Sequence, residues 1–222
     1  MEQQDYLTVL TPFETELEIK KSRFIGRVYP VRDETEADTI LARVKKEHYK
    51  ATHVCSAWVL NTVPARQKAS DDGEPSGTAG KPILEVINKR DIKNILVLVI
   101  RYFGGIKLGA GGLIRAYSGT AAEVLNQCEV VKKQFSDIVT VEIDYTSYGG
   151  LMNVLAAEGY KPAAESFGEK VGLDFEIEIK KTESFLALIR ETTNGRFDYA
   201  VMEQRYVDIP FFKLSVDEPK RV

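Results

Sequence analysis

Three cations and a cluster of glycines share one short stretch of this chain, Arg101-Tyr102-Phe103-Gly104-Gly105-Ile106-Lys107-Leu108-Gly109-Ala110-Gly111-Gly112-Leu113-Ile114-Arg115. Glycine lets backbone N–H groups approach a ligand closely, and N–H groups at a helix start attract anions. The chemistry this spacing points to is phosphate binding. The donors would be the amides of Gly104, Gly105, Gly109, Gly111 and Gly112, with Arg101, Lys107, Arg115 and the upstream Lys81 supplying charge. Two nucleotide fingerprints come close and fail. Gly104 and Gly109 have P-loop spacing, but Ala110-Gly111 stand where Lys-[Ser/Thr] is required. Gly109 and Gly111 begin a dinucleotide pattern, but Ile114 takes the place of its third glycine. The competing reading is structural: these glycines would serve tight turning and close helix–sheet packing.

Other clusters carry weaker chemistry. Asp71, Asp72 and Glu74 could offer hard oxygens to a cation, but their spacing matches no EF-hand. With Ser76 and Thr78 they read better as a polar recognition loop or an exposed turn. His48, His53 and Cys55 have no zinc spacing, and no metal is expected. A Cys–His nucleophile would need a setting that stabilises a thiolate. G-x-S-x-G and H-E-x-x-H are absent, so a hydrolase lacks its residues, and no cofactor is expected. Arg23, Phe24, Arg27 and Tyr29 alternate along a strand whose even-numbered positions Phe24, Val28 and Pro30 could form a core face. Arg23 and Arg27 are candidate strand contacts to nucleic acid, or the solvated face of a strand with one core face.

Net charge over the 222 residues is −3, which gives no global signal for nucleic acid or an anionic membrane. Its distribution is more informative. Residues 1–130 carry a net +1 and residues 131–222 a net −4, while 81–115 hold seven basic and two acidic residues. That local excess surrounds the glycine cluster, and local fields rather than net charge steer anionic partners. Cys55 and Cys128 read as buried free thiols. The acidic N-terminus lacks signal-peptide character and no apolar run is long enough for a membrane span, so a cytoplasmic protein without membrane contact is expected.

The glycines are positioned by the elements around them. Ile95-Leu96-Val97-Leu98-Val99-Ile100 predicts a buried strand, and Leu113–Cys128 has helical spacing. Upstream, strands are predicted at Glu14–Lys20, Ser22–Val31 and Val54–Asn61. A helix begins at the capping-box-like Asp33-Glu34-Thr35-Glu36, and Ile83–Asn88 predicts a short helix after a loop over Ala69–Pro82. After Lys132-Lys133 the rhythm changes. Strand Asp137–Tyr145, helix Ser147–Glu158, strands Lys161–Phe167 and Val171–Lys180, a helix from Thr182 and strand Tyr199–Ile209 make a βαββαβ series, with a loose tail over Asp217–Val222. Two α+β domains, 1–132 and 133–222, are expected.

Four segments together carry a family resemblance: Lys21–Gly26, His53–Trp58, Ser70–Pro82 and Arg101–Gly109. They are similar to the IMPACT family in its bacterial, YigZ-type two-domain form. The resemblance implies a first domain folded like the second domain of a small-subunit ribosomal protein. It implies a ferredoxin-like second domain similar to domains of elongation factor G. Eukaryotic relatives regulate translation by binding a scaffold that activates a translation-initiation-factor kinase, whereas bacterial members bring no settled activity. Three expectations follow. The first is a translation-linked protein contacting RNA or ribosomal phosphate through the glycine turn. The second is an enzyme or sensor for a small phosphorylated ligand, since small-molecule kinases share this fold. The third is a protein-interaction module using a surface between the domains; in the first reading the C-terminal domain would add a protein partner or a second RNA surface.

Overall fold

The computed structural model describes residues 4–211. Its elements run β1 (Tyr6–Val9), β2 (Phe13–Ile19), β3 (Ser22–Pro30), α1 (Glu34–Glu47), β4 (His53–Leu60), β5 (Arg66–Ser70), α2 (Gly80–Lys89), β6 (Ile95–Tyr102) and α3 (Ala110–Gln127). They continue with β7 (Val130–Ile143), α4 (Tyr145–Ala157), β8 (Ala164–Phe167), β9 (Val171–Glu178), α5 (Thr182–Thr192) and β10 (Asp198–Pro210). The chain divides into two compact units, 6–132 and 133–209. Gln4 and Asp5, placed by sequence in the first domain, belong to the second unit. The Asp5 carboxylate accepts from the Phe135 N–H at 3.0 Å, and Tyr206 Oη donates to the Gln4 carbonyl at 3.2 Å.

The first unit is a five-stranded antiparallel sheet in the order β2-β3-β6-β4-β5, with helices against both faces. Strand periodicity explains how one apolar run serves two cores. From β6, Ile95, Val97 and Val99 face a core completed by α2 and α3, through Ile83, Ile87, Tyr117 and Val124. Leu96, Leu98 and Ile100 face the other core, with Trp58 and with Ala37 and Val44 of α1. Each such side chain, fully buried, contributes about 1.5–3 kcal/mol. β3 is likewise covered on both faces, with Phe24 and Val28 in one core and Ile25 and Tyr29 in the other. The expectation of a single core face for this strand is therefore corrected. The β2–β3 hairpin turns through Lys20 and Lys21 at φ 47° and 62°, the double positive φ that matches strand twist in a two-residue loop.

Several local details differ from the sequence reading. Asp33 caps α1 as expected, its Oδ1 accepting from the Glu36 N–H at 2.8 Å. Glu36 reaches one residue further back, to the Arg32 N–H at 2.8 Å, drawn by the Arg32 guanidinium at 3.1 Å. β1 and β5 were not foreseen. β5 is exposed throughout, so no apolar alternation announces it. Helices α2 and α3 each begin three residues earlier than their apolar patterns indicate, within glycine-containing sequence.

In the second unit the order is β7-α4-β8-β9-α5-β10. β7 pairs with β9 and β10, and β9 pairs antiparallel with β8. Val139, Val141, Leu173 and Phe175 of the sheet meet Leu151, Leu155, Phe185 and Ile189 of α4 and α5 in one core. The tail over Asp217–Val222 lies outside the described residues. Among the described residues no helix is long and apolar enough to cross a membrane.

A candidate phosphate-binding cleft

Arg101, His53 and Phe24 meet at one end of the first unit's sheet. The register sets Arg101 opposite Phe24 on one neighbouring strand and opposite His53 on the other. Arg101 follows Ile95, Val97 and Val99 by the period of two, and so faces the same side as α3. Its guanidinium lies 5.4 Å from the ring centroid of Phe24 and 5.3 Å from that of Phe103. Arg101 Nη1 donates to Glu74 Oε1 at 2.6 Å, and both side chains are almost wholly buried. The same oxygen accepts from Tyr117 Oη at 2.7 Å, while His53 Nε2 stands 3.8 Å from Glu74 Oε2. Arg101 Nε is buried and has no hydrogen-bond partner among the described residues.

Asp71 holds the segment carrying Glu74. Its carboxylate accepts from the N–H groups of Gly77, Ala79 and Gly80 at 2.8, 3.0 and 2.8 Å, occupying the N-terminus of α2. Burial opposes ionisation of Asp71, but these three donors outweigh it and hold the carboxyl below its ordinary value. A lowered carboxyl pKa adds stability at neutral pH, and this is lost as the pH falls through the folded value. Asp71→Ala is expected to cost about 1–2 kcal/mol at pH 7, as loss of a helix cap does. Urea denaturation of parent and variant should show the gap closing below about pH 4. An equal gap at pH 7 and pH 3 would count against the charge.

Asp72 works separately. It forms an ion pair with Lys45, and its Oδ2 accepts from the Val54 N–H at 2.7 Å. Its carbonyl lies 2.8 Å from His53 Nδ1. A carbonyl only accepts, so Nδ1 carries the proton in that bond, leaving Nε2 toward Glu74. Cys55 Sγ donates to the Asp71 carbonyl at 3.0 Å, and burial pushes the thiol up to about 12. No thiolate is available there near neutrality.

Above Arg101 opens a cleft of about 410 Å³, lined by His53, Glu74, Pro75, Arg101 and Phe103 and closed by residues Lys107–Ala110 and Leu113. The N-terminus of α3 forms one edge. Its N-cap is Gly109, at φ 71°, and neither a side-chain cap nor an acidic first-turn residue occupies it. The Leu113 N–H is the first to bond back, to the Gly109 carbonyl at 2.9 Å. The N–H groups of Ala110, Gly111 and Gly112 thus belong to the first turn, where a helix has no acceptor of its own and an anion is favoured. Lys107 is exposed and makes no ion pair among the described residues.

The expected site residues separate into three groups. Arg101, Lys107 and Gly109 line the cleft, with Gly111 next in the helix. Gly112 and Arg115 line an adjoining hollow of about 210 Å³ with Lys20. Gly105 sits exposed at φ 85° in the connecting turn. Gly104 is removed from the set of free amides, because its N–H donates to Ser22 Oγ at 3.1 Å. Lys81 lies outside both hollows, 3.9 Å from Glu85. Arg23 is neutralised by Glu16, and Arg27 by Glu14 and Glu47. The recognition loop does not present its carboxylates outward, since Asp71, Asp72 and Glu74 each hold the interior contacts given above. Thr78 is buried, bonded to the Pro75 carbonyl at 2.6 Å, while Ser76 is exposed. His48 ends α1 and bonds Tyr102 Oη at 2.9 Å, away from His53. Among the described residues no group of three metal-ligating side chains could hold an ion. Tyr117, Phe103 and Leu108 escaped the sequence reading. Tyr117 follows Leu113 by one helical turn, which was its only signal.

Two family models match the chain: the Impact N-terminal domain over residues 20–125, and a domain of unknown function, DUF1949, over 141–196. The chain is 43% identical to the IMPACT family member YvyE of Bacillus subtilis, across 91% of this chain and 94% of that protein. It is 32% identical to the IMPACT family member YigZ of Escherichia coli, across 90% of this chain and all of that protein. A crystal structure of a hypothetical protein matches with a TM-score of 0.58 at 31% identity, covering 91% of this chain and 99% of that one. The chain belongs to the IMPACT family, as one of its two-domain bacterial members.

Proposed function

We propose that this protein is a cytoplasmic, translation-linked binding protein whose first unit takes RNA or ribosomal phosphate in the cleft at the start of α3. The observation carrying this reading is the meeting of Lys107, the uncapped α3 N-terminus and the buried Arg101 at one cleft. The same chain contains an internal precedent, because the N-terminus of α2 is already filled by the Asp71 carboxylate. The translation link comes from the family. In this reading the first unit takes the fold of the second domain of a small-subunit ribosomal protein, as the resemblance implies. The second corresponds to a ferredoxin-like domain, a reading supported by β7 lying between β9 and β10. Tyr199, Val201 and Met202 are exposed on β10 and favour a protein contact for that unit.

The test is binding of structured RNA as a function of salt. Each phosphate contact steepens the slope of log K against log salt by about 0.9, so the double variant Lys107→Ala/Arg115→Ala should flatten it by about two. Anisotropy titrations between low and physiological salt measure the slope. Unchanged slopes, or no binding to RNA or ribosomes, reject the assignment.

A further inference from the structure

The cleft has two chemically different walls. Its polar side is made by Lys107, the first turn of α3 and Arg101, whose charge is shared there with Glu74 at 2.6 Å. Its apolar side is made by Pro75, Phe103, Leu108 and Leu113. A phosphate diester lying across a surface needs only the first. A volume of about 410 Å³ is in the range of small-molecule sites, roughly 300–1,000 Å³, and leaves room beyond a phosphate.

Phe103 is the feature a backbone-only contact leaves unexplained. It is 46% exposed, whereas Phe24 and Tyr117, which contact Arg101 and Glu74 from below, are fully buried. One ring face is backed by the Arg101 guanidinium at 5.3 Å. Its own N–H donates to Thr52 Oγ1 at 3.0 Å, and the next N–H donates to Ser22 Oγ at 3.1 Å. The backbone carrying the ring is therefore held by two anchors, with a cation behind the ring, at the rim of an anion site. A rigid aromatic beside a phosphate site is how proteins hold unpaired bases, because every base offers a stacking face. Arg101 supplies the independent sign of a missing ligand: its side chain is 6% exposed, it lines the cleft, and Nε is without an acceptor among the described residues. Buried donors of this kind are normally satisfied.

We infer that the cleft takes a single unpaired nucleotide, its phosphate over the first turn of α3 and its base on the outer face of Phe103. This rests on the phosphate reading and narrows its ligand to single-stranded RNA or a free nucleotide, with base-paired RNA excluded. Duplex bases are stacked on one another and have no free face for Phe103.

The experiment compares four probes on the full chain: a 5′-labelled single-stranded RNA decamer, the same sequence as a blunt duplex, AMP as competitor, and a labelled phosphoserine peptide. The single strand is expected to bind better than the duplex, and AMP to displace it. Phe103→Leu should weaken the single strand by about fivefold or more, the low end of what one stacked base contributes, and leave duplex binding unchanged. Phe103→Trp should retain binding, which separates stacking from any folding defect. AMP matching the decamer would identify the free nucleotide as the source, whereas much weaker AMP would identify the strand. Equal binding of single strand and duplex, with no effect of Phe103→Leu, overturns the nucleotide inference and leaves the phosphate reading standing. So does preference for the phosphopeptide. Binding of no probe overturns both.

Discussion

Replacing Glu74 with alanine is expected to lower folding stability by about 3–5 kcal/mol, because it strands the Arg101 charge in the interior. Both members of the pair are at least 94% buried, so water cannot take the place of the missing carboxylate. Tyr117 Oη would lose the acceptor it holds at 2.7 Å. The loss measures uncompensated burial and is not the net worth of the pair. A triple variant, Arg101→Met/Glu74→Leu/Tyr117→Phe, removes all three polar groups at once and should fall within about 2 kcal/mol of the parent. Chemical denaturation of the parent, single and triple variants checks this. A loss under 1 kcal/mol for Glu74→Ala would mean that solvent reaches the pair. The triple variant also separates roles, because a folded protein lacking Arg101 should bind phosphate poorly.

Arg101 illustrates what could be read from sequence and what could not. Its side of the sheet follows from strand parity along Ile95–Arg101, and its proximity to the glycine turn is a matter of chain order. Its partner does not follow, since Glu74 lies 27 residues away and no local pattern chooses among Asp71, Asp72 and Glu74. Asp71 is harder still. A helix cap is ordinarily sought immediately before the first turn, whereas Asp71 reaches α2 from nine residues upstream of Gly80. Read without that return of the chain, three nearby carboxylates resemble an exposed polar loop. The βαββαβ series of the second unit was legible because strands of alternating burial, such as Val171–Glu178, are followed by helices such as Thr182–Thr192 that bury one face. β5 was not, because Arg66–Ser70 is exposed at every position. Arg23 and Arg27 show the limit of reading charge from sequence. Their alternation is real, but Glu14 and Glu16 on the neighbouring strand, together with Glu47 of α1, neutralise it.

The cleft therefore stands on a floor whose polar groups satisfy one another except at Arg101 Nε, and its other free donors come from the turn above. That division predicts which changes damage folding and which damage binding. Lys107 and Phe103 are exposed and should be replaceable with little loss of stability. Surface substitutions away from caps and cores ordinarily stay within about 0.5 kcal/mol. Glu74 and Gly104 should not be.

Gly104→Ala is expected to be among the most damaging single substitutions in the chain, costing about 4 kcal/mol or more. A Cβ at this position would lie 1.8 Å from the Lys21 carbonyl oxygen, 2.0 Å from its carbon and 2.5 Å from the Ser22 nitrogen. All three atoms are backbone, so no rotamer change relieves the clash. The turn must instead part from the β2–β3 hairpin by more than an ångström. Parting breaks the Gly104 N–H bond to Ser22 Oγ and shifts Phe103, whose own N–H is held by Thr52. The contrasting site is Gly119, in the middle of α3, where an added Cβ meets nothing within 4 Å and the backbone is helical. Gly119→Ala should stabilise the protein by about 0.5–1 kcal/mol, through the lower entropy of its unfolded chain. Thermal and urea unfolding of the two variants should move in opposite directions from the parent. If Gly104→Ala unfolds within 1 kcal/mol of the parent, the close approach at Lys21 is not what the glycine serves. If it folds with the expected loss, any surviving protein should also bind RNA poorly, because the anchor that fixes Phe103 over the cleft has been displaced.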